Sequence, residues 1–207
     1  MFEMVQGTDE WLNARAGMIT ASRIVDMMTK LKGGGRGATA TNYMAELVAE
    51  RLTGVPSEHF QSSAMKWGTE HEPEARSLYA FMVGTNVEEV GFVVHPEFDF
   101  AGASPDGLVG DNGLIEIKCP NTATHISTLL SKSIDRKYIL QMQWQMECTK
   151  RDWCDFVSYD PRMPHDMQIF IKRVRYDENI VQSIKDEMVP FNNEINQMIK
   201  ELNSAKK

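Results

Sequence analysis

Apolar residues recur along this chain at two periods, and the switches between them mark the elements. Met44, Leu47, Val48 and Leu52 lie at helical spacing and predict a helix over Asn42 to Leu52, ended by Gly54-Val55-Pro56. Trp67, Ala75, Leu78, Tyr79 and Met82 predict another from about Ala64 to Val83, which Pro73 either opens or kinks. Tyr138, Ile139, Met142 and Met146 share one side of a helix from about Asp135 to Thr149. Ile180, Val181, Ile184, Met188, Ile195, Met198 and Leu202 give a final amphipathic helix from near Glu178, with a kink expected at Pro190. A shorter helix is read over Ala21 to Met28, with Thr20 or Ser22 as its N-cap. Strand signals are β-branched or alternating: Val87 to His95, Phe100 to Val109, Leu114 to Lys118, Trp153 to Tyr159 and Met167 to Tyr176. The second and third are joined by Gly110-Asp111-Asn112-Gly113, a hairpin turn. Helices, three strands, a helix, two strands and a helix predict an α/β (α+β) fold, a mixed sheet flanked by helices, built as one domain over 1–207.

Composition adds limits. At 207 residues, 42% hydrophobic and 25% charged, the chain is ordinary for a globular protein with a sizeable core. No apolar run reaches the roughly 18 residues of a membrane span. The N-terminus, Met-Phe-Glu-Met-Val-Gln-Gly, lacks the basic and apolar regions of a signal peptide, so the cytoplasm is the expected location. Cys119, Cys148 and Cys154 are odd in number and contain no Cys-x-x-Cys pair. That spacing disfavours a disulfide framework, a zinc site and an iron–sulfur cluster, and predicts reduced packing thiols. A net charge of −7 opposes simple nucleic-acid binding, unless cations concentrate along one channel. Lys30-Leu31-Lys32-Gly33-Gly34-Gly35-Arg36-Gly37 reads as a mobile cationic loop, either a phosphate contact or a solvated surface.

The chemistry-bearing residues surround the hairpin. In Leu114-Ile115-Glu116-Ile117-Lys118, alternation sends Ile115 and Ile117 to one face. Glu116 and Lys118 then lie side by side on the other, away from the core. A four-residue loop sets Asp106 opposite Ile117, which strict pleating turns to the wrong face. A bend or bulge at Pro105-Asp106-Gly107 is therefore required to bring its carboxylate to Glu116. Two carboxylates and an ammonium are what metal-assisted phosphodiester cleavage needs. Arg15 and Ser22 form a second constellation. A serine at a helix start exposes free N–H groups, and an arginine can grip a phosphate through two nitrogens; a surface arginine and a plain N-cap are the ordinary alternative.

Ser104-Pro105-Asp106-Gly107 followed by Glu116-Ile117-Lys118-Cys119-Pro120 resembles the PD-(D/E)xK restriction-endonuclease-like core. Within that group it is similar to the phage lambda exonuclease family, the YqaJ-type viral recombinases. Trp11-x-x-x-Arg15-x-Gly17-x-Ile19-Thr20-Ala21-Ser22, Trp67-Gly68-x-x-x-Glu72, Gln141-x-Gln143 and Tyr159-Asp160-Pro161-Arg162-Met163 resemble further family segments, in order, from Trp11 to about Pro190.

The resemblance implies that Asp106, Glu116 and the Ile117 carbonyl hold Mg²⁺ or Mn²⁺, two ions per site. Lys118 then serves the attacking water, Glu72 and Gln141 assist from outside, and Arg15 and Ser22 bind the 5′-phosphate of the degraded strand. It implies Mg²⁺-dependent 5′-to-3′ degradation of one strand of linear duplex DNA, leaving a 3′ overhang for recombination with a single-strand annealing protein in a bacterial host cell. It implies a homotrimeric ring, which would let Lys30, Lys32, Arg36, Arg136, Lys137, Gln143 and Arg162 face DNA despite the acidic total. Met65 stands where the family carries a wedge residue, although helix packing would equally explain it. An internally cutting PD-(D/E)xK endonuclease and an inactive DNA-end-binding scaffold are the alternatives. The first needs no phosphate pocket, and the second needs no intact Asp106, Glu116 and Lys118.

Overall fold

A computed structural model of the chain describes residues 4–57 and 62–205, so Met1-Phe2-Glu3 of the N-terminal reading lie outside it. Two sheets share the strands. One has the order β1 (Ile19–Thr20), β4 (Ala101–Ala103), β3 (Val93–Val94). The other runs β2 (Val87–Glu88), β5 (Gly107–Val109), β6 (Gly113–Lys118), β7 (Trp153–Tyr159), β8 (Ile169–Arg175). The helices are α1 (Asp9–Arg15), α2 (Ile24–Met27), α3 (Ala38–Thr53), α4 (Ser63–Val83), α5 (Thr122–Ser131), α6 (Arg136–Thr149) and α7 (Glu178–Ser204). No described helix is long and apolar enough to cross a membrane.

The long helices and β6 to β8 follow the sequence pattern. Gly54 ends α3 at φ 69°, a left-handed turn that suits glycine. Both α4 and α7 continue through their prolines, so Pro73 does not open α4. Two helices escape the pattern because they bury almost nothing. No residue of α1 is buried, and in α5 only His125 is, although Ile126, Leu129 and Leu130 lie at helical spacing there.

The strands Val87 to His95 and Phe100 to Val109 are each broken in two, because the chain changes sheets within them. The second break falls at Ser104-Pro105-Asp106, one residue before the expected bend, since Gly107 already belongs to β5. The hairpin register also differs from the expected one. Val109 pairs with Gly113 and Gly107 with Ile115, which leaves a three-residue turn of Gly110, Asp111 and Asn112. Continued by one step, that register sets Asp106 opposite Glu116 rather than Ile117, so pleating and bend act in the same direction. Gly107 is required for space: a Cβ there would lie 2.2 Å from Val87 Cγ1.

Both faces of β6 are covered, which corrects the expectation that Glu116 points away from the core. Ile115 and Ile117 pack with Ala75 and Tyr79 of α4. Leu114 packs with Met142 and Met146 of α6. The cause is topological. β6 pairs in parallel with β7, and α5 and α6 form the crossover between them. Glu116 is therefore fully buried. A third cluster joins α2, α3, α6 and α7 around Tyr43, Trp144 and Phe191.

Candidate active site

The end of β6 and the Ser104–Asp106 link meet beneath α6. Asp106 Oδ2 accepts the Ile117 N–H at 2.6 Å, which ties the two strands where their ladder stops. Glu116 is held by three donors. Gln141 Nε2 reaches Oε1 at 2.7 Å, Gln145 Nε2 reaches Oε2 at 2.6 Å, and the Lys118 ammonium pairs with Oε1. Lys118 also sits 5.3 Å from the Tyr138 ring centre. Glu72, on α4, is paired with Arg76 at 2.5 Å. The expected group of Asp106, Glu116, Lys118, Glu72 and Gln141 is thus gathered in one place.

The electrostatics are those of crowded carboxylates. Burial, and then the neighbouring Glu116, push the Asp106 carboxyl well above its ordinary range, against the opposing pull of Lys118. Burial also raises Glu72, with Arg76 opposing. For Lys118, burial favours the neutral amine, but Glu116 and Asp106 outweigh it and hold the ammonium above its usual value. A divalent cation would relieve the repulsion between Asp106 and Glu116, and hard oxygen donors suit Mg²⁺ or Mn²⁺. Among the described residues no three His, Cys, Asp or Glu side chains form a ready metal cage. The donor set consists of two carboxylates, and the Ile117 carbonyl is the neighbouring backbone oxygen.

A cleft of about 170 Å³ adjoins this group, lined by Gln6, Trp11, Arg15, Ala21, Ser22, Ser104 and Gln141. Gln141 therefore touches both the cleft and Glu116. Arg15 stacks on Trp11, 4.0 Å from its ring centre, and donates to Ser104 Oγ at 3.2 Å. Trp11 Nε1 donates to the same hydroxyl at 2.9 Å. Burial lowers the Arg15 pKa to about 10, which leaves it cationic at neutral pH. Ser22 is exposed in a 3₁₀ turn, Ala21–Arg23, and is not an N-cap. Thr20 holds the cap position without a side-chain bond, and α2 has only four residues, so little helix dipole acts here. The positive charge of the cleft comes from Arg15.

Other expected contacts lie elsewhere. Gln143 faces away from the site, donating to the Arg175 carbonyl and accepting from Asp177 N, both at 2.8 Å; its place in a DNA contact is withdrawn. The glycine loop is a folded turn rather than a free one, with a bridge between Lys30 and Arg36. Lys30 pairs with Glu187 of α7, and Arg36 with Glu194 at 2.8 Å, so these cations are already engaged. Arg162 chelates Asp160 and lies 4.3 Å from the Trp67 ring centre. Lys32, Arg136 and Lys137 are exposed. Met65 is exposed on the first turn of α4, which removes helix packing as its explanation.

Gln145 and Ser104 join the site without having been expected. Gln145 could have been found by its spacing, since four residues from Gln141 is one helical turn and puts both amides on one face. Ser104 had no such signal, because only the fold brings Trp11 and Arg15 to it.

Comparison with known proteins gives the family. The model of the YqaJ-like viral recombinase domain matches residues 10–152, a span that holds Arg15, Ser22, Glu72, Asp106, Glu116, Lys118 and Gln141. An alkaline exonuclease from Laribacter hongkongensis (LHK-Exo) is 49% identical over 96% of this chain and 98% of its own, with a TM-score of 0.89. The same exonuclease in complex with dAMP gives 50% identity, 96% and 99% coverage, and again 0.89. A phage-related exonuclease from Haemophilus somnus 129PT shares the fold at 18% identity, covering 89% of this chain and 96% of its own at a TM-score of 0.73. No curated protein matches the sequence. The fold is the PD-(D/E)xK type of these exonucleases, and the chain belongs to the family of the YqaJ-like viral recombinase domain.

Proposed function

We propose that this protein is a metal-dependent exonuclease that degrades one strand of linear duplex DNA from the 5′ end and leaves a 3′ overhang. The observation that carries the reading is Gln141, which bonds Glu116 and lines the Arg15 cleft, so a terminal phosphate in the cleft would lie beside the carboxylates. The close similarity to an alkaline exonuclease, also known in complex with dAMP, supports the nuclease chemistry.

Asp106, Glu116 and the Ile117 carbonyl would hold Mg²⁺ or Mn²⁺, as two ions, which when bound supply Lewis-acid polarisation and a more acidic water. Gln141 and Gln145 hold the Glu116 carboxylate in one orientation. Lys118 keeps its proton and offers positive charge where the phosphate gathers negative charge. Arg15, aligned by Trp11 and Ser104, grips the terminal phosphate and sets the scissile bond in register. Ser22 supplies a hydroxyl to the same cleft.

We place the protein with a single-strand annealing partner in homologous recombination, acting as a homotrimeric ring. Light scattering would measure the mass; a monomer on DNA would remove the ring. The test of the reaction uses linear duplex labelled at each end separately, with Mg²⁺ or EDTA, beside closed circular duplex. The 5′ label should leave first as a mononucleotide only with metal, and circles should stay intact. Cleaved circles, or activity surviving full chelation, would overturn the reading.

A further inference from the structure

The link Ser104-Pro105-Asp106 lies between two sheets and belongs to neither. Its carbonyls have no ladder partners, and each is instead held by a side chain from a different part of the chain. Gln145 Nε2 reaches the Ser104 carbonyl at 3.4 Å, Gln6 Nε2 the Pro105 carbonyl at 2.8 Å, and Arg76 Nε the Asp106 carbonyl at 3.0 Å. Arg76 does more than satisfy an acceptor. Its Nη2 pairs with Glu72 at 2.5 Å and its Nη1 with Glu89 at 3.0 Å. One guanidinium, 13% exposed, thus joins α4, the segment after β2 and the link that carries Asp106.

We infer that Arg76 is a positioning residue for the reaction: its planar fork fixes the Asp106 backbone and the Glu72 carboxylate together, and so sets the geometry in which Asp106 meets a divalent metal. The inference rests on the metal-site reading above. Asp106 is held at two points, its side chain by Ile117 N–H and its backbone by Arg76. The Ile117 contact fixes the carboxylate and Gln6 the peptide before it, while Arg76 fixes the peptide that follows and ties it to Glu72. A lysine cannot replace the fork, because its single ammonium cannot serve three acceptors in one plane.

The test is calorimetric titration of Mn²⁺ into the DNA-free protein, wild type beside Arg76→Lys and Arg76→Met, with thermal unfolding of each in EDTA. The variants should bind Mn²⁺ about 10- to 100-fold more weakly. The Mg²⁺ concentration for half-maximal nucleotide release should rise in parallel, and saturating metal should restore much of the rate for Arg76→Lys. Wild-type Mn²⁺ affinity in a folded variant would overturn the positioning role, even if its unfolding midpoint fell. If Arg76→Met does not fold, Arg76→Lys decides by the same readout. A wild type that binds no Mn²⁺ would remove the metal-site reading itself, and the inference with it.

Discussion

Glu116 is a fully buried carboxylate, and its three donors explain how the fold tolerates it. Removing one partner of a buried charge costs more than the bond itself, because the remaining group stays desolvated. Gln145→Leu is therefore expected to lower the turnover number about 10- to 100-fold, with Gln141→Leu similar, measured at saturating Mg²⁺. Gln143→Leu should behave oppositely. It strands the Arg175 carbonyl and the Asp177 N–H, so denaturant unfolding should show a loss of about 1–3 kcal/mol while turnover per folded molecule holds. At Gly107 the constraint is space, since a Cβ would overlap Val87. Gly107→Ala should cost about 1–3 kcal/mol by overpacking, read in the same unfolding assay.

At the scale of elements, α6 supplies both amides to Glu116, so whatever fixes α6 fixes the site. Its outer end is tied by Glu147, which is buried and accepts from Lys150 at 2.8 Å, Lys185 of α7 at 2.6 Å and Tyr176 at 2.9 Å. Burial alone would raise Glu147, but these donors outweigh it and bring its pKa down to about 2. A depressed carboxylate stabilises the fold above its unfolded value, and that stability is lost as pH falls toward 2. His95 adds to the acid side. Its Nδ1 accepts from Glu97 N and Phe98 N, and burial lowers its pKa. A lowered histidine opposes folding as pH falls below the unfolded histidine range, because the folded state resists the extra proton. Glu147→Gln should therefore lower the unfolding midpoint at neutral pH and flatten its decline between about pH 4.5 and 2, followed by thermal melts across pH.

For the molecule as a whole, the question is how a chain of net charge −7 meets DNA. Intramolecular pairing narrows the answer. Lys30 and Arg36 are spent on Glu187 and Glu194, and Arg162 on Asp160, whereas Lys32, Arg136 and Lys137 make no ion pair among the described residues. Arg136 and Lys137 open the helix that holds Glu116, and Lys137 lies one turn before Gln141, 4.8 Å from the Tyr138 ring that Lys118 also approaches. Arg136→Gln with Lys137→Gln should weaken DNA-end binding and make its salt dependence shallower, by about 1 in slope for each phosphate no longer neutralised. Lys30→Gln should leave that slope unchanged. Both are read by fluorescence anisotropy over a salt series, with EDTA present to prevent cleavage.

The sequence alone determined the long helices, β6 to β8 and the acid, acid and lysine set, because periodicity and short motifs are local and survive in one dimension. It also pointed to a bend at Pro105-Asp106-Gly107, but through a register that the structure replaces, and the break falls at Ser104-Pro105-Asp106. Tertiary structure decided what depends on distant partners: the hairpin register, and the sheet change that divides Phe100 to Val109. It decided that Glu116 is buried rather than exposed, since a parallel crossover covers both faces of β6. It also separated Gln141 and Gln145 from Gln143, because a helix turns residues two apart to different sides and only packing says which side meets a carboxylate. The pairing of Lys30 and Arg36 was hidden for the same reason, as Glu187 and Glu194 lie some 150 positions away in the chain and beside them in the fold.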